Sequence, residues 1–452
     1  MSRYLVDWIV TAGEDGPYSD AALLRAMLRF EIALAQAQAK LGVIPQAAAD
    51  AIAQHAPALA LDPARLAQAG AHAGTLAVPF VRALVAHLAA RDESAAHWIH
   101  RGATSQDVID TGLVLCTKDA LAALERDLLR ASRAAGALAC RHAMTPMLAR
   151  TLLQPAGVTT AGFKCAQWAL SLARVRQRLL GTAQAALAVS LGGAAGNLAE
   201  LGESGPALRA HVALALELAD PGTTWHTGRE SWIALATDAG LACGAMAKIA
   251  RDVALMAQAA VGEAHEAHAD GRGASSAMPH KRNPVLTVRV LAATQPVPGI
   301  VSGLLAGMAQ EHERALGNWQ AELAQFPAVF THALGAAAAL AELLEGLHID
   351  AARCRSNIDA LKGTIFSERL AGLLLPVLGK QAAQALVADL CRRALASGRP
   401  LHDLAREQLS GDARLQPHLA KDLDDVFDIA RPVRLSAAQI EPLLAAAERP
   451  VR

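Results

Sequence analysis

The chain has 452 residues, is 53% hydrophobic and 3% aromatic, and balances 42 Lys+Arg against 42 Asp+Glu. That length supports two or three domains and a sizeable core. With no net positive charge, nothing gathers nucleic acid or an anionic membrane nonspecifically, so neither is expected as a partner.

Ala and Leu are strong helix formers, and a core poor in aromatics must be filled by closely packed aliphatic helices. Residues 1–105 read as several shorter helices. Asp7 stands where a signal peptide would continue its apolar run. Ser19-Asp20 is an N-cap ahead of a helix to about Leu41, with Leu23, Met27, Phe30 and Leu34 at helical spacing and Gly42 beyond its end. Gly70, Gly74 and Pro79 punctuate a later region of this segment.

Residues 106–346 hold long helical patterns. They run from about Asp107 to His142, Val158 to Leu187, Arg229 to Ala269, and Gln320 to Leu347, the last with a kink at Pro327. Between the last two, Val290 to Gln310 carries no charge and is long enough to cross a bilayer. Its Pro296, Pro298, Gly299 and Gly303 argue instead for a kinked helix buried on all sides by protein. These lengths exceed the usual ~10–14 residues and imply a bundle. Several helices are apolar around most of their circumference, which predicts a homo-oligomer. Residues 347–452 return to shorter helices, broken at Gly363, Gly379, Gly398-Arg-Pro400 and Gly411. The expectation is an all-α protein of three helical domains (1–105, 106–346, 347–452), its central bundle assembling into a multi-subunit helical core. Cys116, Cys140, Cys165, Cys243, Cys354 and Cys391 form no CxxC pair and read as reduced, mostly buried thiols of a cytosolic protein.

Three polar clusters interrupt this helical pattern, all placed at the ends of long helices. In His100-Arg-Gly-Ala-Thr-Ser-Gln-Asp-Val-Ile-Asp110, Thr104, Ser105 and Asp107 suit a helix N-terminus, where free N–H groups receive carboxylates. Ordinary capping explains them equally well. In Ala149-Arg-Thr-Leu-Leu-Gln-Pro-Ala156, Arg150, Thr151 and Gln154 precede Pro155, which fits a helix first turn or a plain interhelix turn. Gly271-Arg-Gly-Ala-Ser-Ser-Ala-Met-Pro-His-Lys-Arg-Asn-Pro284 is a glycine-flanked loop rich in donors, closed where Pro284 restarts a helix. His265 and His268 lack the i, i+4 spacing of a zinc helix, and Gly262–Asp270 reads as a solvated helix end. No dinucleotide or phosphate-loop fingerprint occurs.

Ser275-Ser-Ala-Met-Pro-His-Lys-Arg-Asn-Pro284 resembles the signature loop of the fumarase/aspartase superfamily. His100–Asp110 and Arg150–Gln154 are similar to its first and second motifs, and Phe163-Lys164 and Gly192–Gly196 also fit. Trp225–Arg229, Lys248–Asp252 and His312–Glu322 are most like its cycloisomerase members. The resemblance implies a cytoplasmic homotetramer with active sites shared between subunits, no cofactor and no metal. It implies Ser275 as the proton carrier, Lys281 and Asn283 as stabilisers of negative charge, and His100, Thr104, Ser105, Thr151, Gln154, His312 and Arg314 as binders of a small tricarboxylate.

Two residues depart from the pattern. Ala274 stands where glycine is usual. Leu152 stands where the lyases carry a histidine that protonates an amine leaving group, and leucine cannot do so. A carboxylate adding to or leaving from a double bond needs no such proton, so the departure favours an intramolecular lyase. The alternatives are an adenylosuccinate-type lyase and a catalytically silent structural protein of the same fold.

Overall fold

The computed structural model describes residues 16–274, 277–278, 280–416 and 421–449. Helix α1 (Asp20–Lys40) starts where Ser19 Oγ accepts the Ala22 N–H at 3.2 Å, and it buries Met27, Phe30 and Leu34. Short helices α2 (Gln46–His55), α3 (Pro63–Ala73), α4 (Ala77–Ala89) and α5 (Glu93–Ala96) follow. Then come α6 (Ser105–Arg141), a hairpin of β1 (Pro146–Thr151) and β2 (Gln154–Thr160), α7 (Ala161–Ala186) and α8 (Gly205–Leu216). The chain continues through α9 (Glu230–Met256), β3 (Ala264–His265), α10 (Val285–Thr294), α11 (Val297–Ala306) and α12 (Asn318–Glu345). β4 (His348–Ile349) pairs antiparallel with β3. Helices α13 (Ala351–Asp359), α14 (Ser367–Leu378), α15 (Lys380–Ser397), α16 (Leu401–Ser410), α17 (Lys421–Phe427), α18 (Ala430–Ala437) and α19 (Ile440–Ala447) complete it.

Among the described residues the protein is all-α apart from these two small sheets. Helix α6 packs on α1, α7 and α12, and α9 packs on α7, α10 and α12. Alanine-rich faces let these helices approach closely: Ala236, Ala239, Ala333, Ala336, Ala337 and Ala341 are all buried. One core joins α1–α6 to the bundle and reaches Ile440. A second, from Phe366 to Val426, sits under α14–α17.

Several expectations change here. The third long helix stops at Met256, not Ala269, because the chain turns at Gly262 (φ 63°) to pair β3 with β4. The segment after it is not a helix end but enters β3; Glu263 and Ala264 are buried, while His265, Ala267, His268 and Asp270 are solvated as expected. Pro327 lies inside the helix Asn318–Glu345 and does not end it. The uncharged stretch divides into α10 and α11 at Gln295-Pro296, where its first proline falls, and one chain alone does not cover all its sides. Within one chain Val288 and Leu305 are about half exposed. α9, α10–α11 and α12 have the length and hydropathy of membrane spans, yet they pack against one another in the bundle. The six cysteines form no disulfide; four are buried, Cys391 is half-buried and Cys140 is exposed.

Candidate active site

Helix α6 carries a capping box: the Thr104 N–H donates to Asp107 Oδ2 at 2.9 Å. Asp107 does more than cap. It also accepts the N–H groups of Gly192 and Gly193 at 2.9 and 3.0 Å, and its Oδ1 lies 2.7 Å from His226 Nε2. Gly193 must be glycine, because its φ is 71° and an added Cβ would stand 3.0 Å from the Gly102 carbonyl. One buried carboxylate thus ties together the first motif, the glycine loop and the Trp225–Arg229 turn.

One helical turn later, Asp110 binds the fully buried Arg229, which also pairs with Glu322 of α12. Trp319 Nε1 donates to Asp110 Oδ1 at 2.9 Å, and the guanidinium lies 4.4 Å over the Trp225 ring. Desolvation raises the Glu322 carboxyl above its ordinary range, against the opposing pull of Arg229. The start of α12 is therefore locked to the start of α6. That places His312 and Arg314, in the preceding loop, beside the first motif. Thr227 Oγ1 donates to the His312 carbonyl, and Arg314 Nη2 to the Ala194 carbonyl, both at 3.0 Å. His312 is exposed and takes a positive φ of 47°.

His100 also lies within reach of the Asp107 charge. Its Nδ1 is 2.6 Å from Glu31 Oε1, on α1. Burial alone would lower the imidazole's pKa; the Glu31 charge and hydrogen bond, with Asp107 behind, outweigh burial and hold it above the ordinary value. His100, Thr104, Ser105, His312 and Arg314 thus form one group.

The other expected residues lie at the opposite end of the bundle. Helix α6 has 37 residues, about 55 Å at ~1.5 Å per residue, and the second motif follows its far terminus. That motif is a β-hairpin, not a helix end. Pro155 lies in β2, opposite Arg150 at a bulge. Thr151 pairs with Gln154 around a two-residue turn in which Leu152 (φ 49°) and Leu153 (φ 65°) are both left-handed. This turn geometry ordinarily takes Asn or Gly, and the two leucines are 97% and 67% exposed. Arg150 anchors the hairpin through two 2.7 Å bonds to the Glu263 carboxylate, which Asn357 also binds.

From Glu263 the chain passes through β3 into the glycine-flanked loop. Glu266 caps α10 by accepting the Leu286 and Thr287 N–H groups, so Pro284 does precede a helix. The loop closes on itself: the Asn283 N–H donates to the Gly273 carbonyl at 2.9 Å, and its side-chain amide to the same oxygen at 3.2 Å. A Cβ at Gly273 would sit 2.3 Å from the Asn283 carbonyl, so that position needs glycine. Arg282 and Asn283 line a cleft of about 210 Å³ with His265, Glu266 and His268. Lys281 is exposed. Ser275, the expected proton carrier, lies outside the described residues. Among the described residues no three His, Cys, Asp or Glu side chains stand together to hold a metal.

The expected residues therefore fall in two regions at opposite ends of the bundle, the expected half-sites: His100, Thr104, Ser105, His312 and Arg314 around the start of α6, and Thr151, Gln154, Lys281 and Asn283 beyond its far end. Sequence reasoning missed the acids beneath them: Glu31, Asp110, Glu263 and Glu322. Glu31 had a signal, since it falls between Met27 and Leu34 on the apolar face of α1, where an unpaired acid is rare.

Residues 14–299 match the family model described as Lyase. The chain is 41% identical over 450 residues to 3-carboxy-cis,cis-muconate cycloisomerase of Bradyrhizobium diazoefficiens, covering 99% of each protein. It is 42% identical over 426 residues to nitrosuccinate lyase of Streptomyces davaonensis, covering 91% of this chain and 88% of that protein. The crystal structure of 3-carboxy-cis,cis-muconate lactonizing enzyme from Pseudomonas putida superposes with a TM-score of 0.90, at 36% identity and 99% coverage of each chain.

Proposed function

The chain belongs to the lyase family of the fumarase/aspartase superfamily, and from that premise we propose that it is an enzyme converting 3-carboxy-cis,cis-muconate to a carboxymuconolactone. Full-length similarity to an enzyme of that activity supports the substrate. Leu152 is the observation that carries the reaction type. It stands at the exposed tip of the second-motif hairpin, where an amine-eliminating member needs an acid. In lactone formation the substrate's own carboxylate forms the C–O bond as the carbon–carbon π bond breaks. Electrons pass into a second carboxylate, giving an enediolate, and a proton then adds to carbon. Ser275 supplies that proton. Lys281, Asn283 and the N–H groups at the start of α6, near Thr104 and Ser105, stabilise the enediolate. His100, Thr151, Gln154, His312 and Arg314 hold the remaining carboxylates.

These residues meet only if the two ends of the bundle come from different copies. The half-exposed faces of α10 and α11 and the protruding Leu152-Leu153 turn support a homotetramer in which one chain's hairpin and loop reach its neighbour's first motif. The reading includes a cytoplasmic location and no cofactor.

A second reading has a specific observation behind it: 42% identity to a nitrosuccinate lyase. A nitro group leaves as nitrite, a weak base, so that elimination also tolerates Leu152. An ultraviolet assay separates the readings. Loss of diene absorbance with a lactone product supports the cycloisomerase. Inertness toward the muconate with nitrite release from nitrosuccinate supports the second reading, and cleavage of adenylosuccinate would contradict both.

A further inference from the structure

Glu31 is 1% exposed, yet it is a carboxylate on the apolar face of α1. Its Oε1 meets His100 Nδ1 at 2.6 Å, and its Oε2 is buried with no hydrogen-bond partner. A buried carboxylate keeps its charge only beside a cation. The ionisable groups facing His100 are Glu31 and Asp107, both acids. The neighbouring Arg101 turns away, over the Trp98 ring at 5.2 Å, and Arg314 bonds the Ala194 carbonyl. His100 itself is held in a left-handed backbone conformation (φ 58°), a strain that its surroundings must enforce. Gln38 enforces it in part, through a 2.7 Å bond to the Arg101 carbonyl. With Nδ1 spent on Glu31, the opposite ring nitrogen, Nε2, is free for a ligand at a side chain that is 17% exposed.

We propose that Glu31 is a positioning residue that holds His100 as an imidazolium, its Nε2–H presented to a substrate carboxylate. The inference rests on the carboxylate-binding reading of this half-site, and it gives His100 a role as fixed cation and not as the acid missing at Leu152. A neutral Glu31–His100 pair would have the same geometry with no charge to offer.

The test tracks exchange of the His100 C2 hydrogen for deuterium across pH, read by peptide mass spectrometry on the whole unliganded protein. The wild-type midpoint is expected above 6.5, the ordinary value for the imidazole. In Glu31→Gln, which keeps shape and loses charge, the protonation constant is expected to fall about tenfold or more. The alkaline limb of kcat/KM should move with it, and His100→Gln should abolish that limb. A purely structural Glu31 would lower kcat/KM equally at every pH. A wild-type midpoint at or below 6.5, or one unmoved in Glu31→Gln, overturns the proposal. Where circular dichroism shows that Glu31→Gln does not fold, the wild-type midpoint decides alone. A wild type that exchanges as expected but leaves the muconate untouched would remove the proposed reaction and leave the dyad standing.

Discussion

The two ends of the bundle are built differently. At the first, buried charges set every element: Asp107 gathers four donors, and Arg229 is clamped between Asp110 and Glu322. At the second, the Gly273 carbonyl receives both N–H donors of Asn283 in the loop, and a bidentate ion pair from Arg150 to Glu263 helps to anchor a hairpin with an exposed tip. A preorganised end receives charge with little reorganisation. The second end carries the loop whose Ser275 is expected to supply the proton. Stability should concentrate at the first end, and turnover should depend most on the second.

The largest expected effect tests that division. Ser275→Ala should cut kcat about 10³-fold, within the range for losing a general acid or base, while circular dichroism and the thermal midpoint stay at wild-type values. A matching fall in stability would assign the serine to the fold.

Arg229→Met should do the reverse. It strands two buried carboxylates and should cost about 3–5 kcal/mol in urea denaturation. A loss under about 1 kcal/mol would mean that the network is not what locks the first end.

At the hairpin, Arg150→Met should cost less, about 1–3 kcal/mol, because Asn357 remains on Glu263. It should also raise KM by loosening Thr151 and Gln154. An unchanged KM would detach the hairpin from substrate binding.

The smallest effect concerns pH. His100 has its folded pKa raised above the ordinary value, so the stability it contributes is complete below that ordinary value and is lost as pH rises through the folded one. The thermal midpoint of wild type minus that of Glu31→Gln should be widest near pH 6 and narrow toward pH 9. A gap that does not change with pH would show that the pair carries no charge.

The helical architecture was legible because its signals are local. Ser19 capping α1, the run of α6 and the proline break between α10 and α11 each follow from a few neighbouring residues. The hairpin at Arg150–Gln154 was not legible. A Leu-Leu turn lacks the Asn-Gly signal, and its register depends on the distant Glu263. The buried acids were likewise hidden, since Glu31 finds His100 69 positions away and Asp110 finds Arg229 119 away. Nor does the pattern of α10 and α11 show which of their apolar faces a single chain leaves open. The candidate residues and their sharing between subunits followed from the resemblance, whereas the distance between them within one chain required the length and direction of α6.

That separation is most directly tested by mixing two disabled chains. Ser275→Ala damages the second half-site and His100→Gln the first. Differently tagged copies, co-expressed and purified as hybrids by both tags, should convert 3-carboxy-cis,cis-muconate far faster than either parent, because some sites then combine two intact halves from different chains. Hybrids that form and remain as inactive as both parents would contradict the account and place the whole site within one chain.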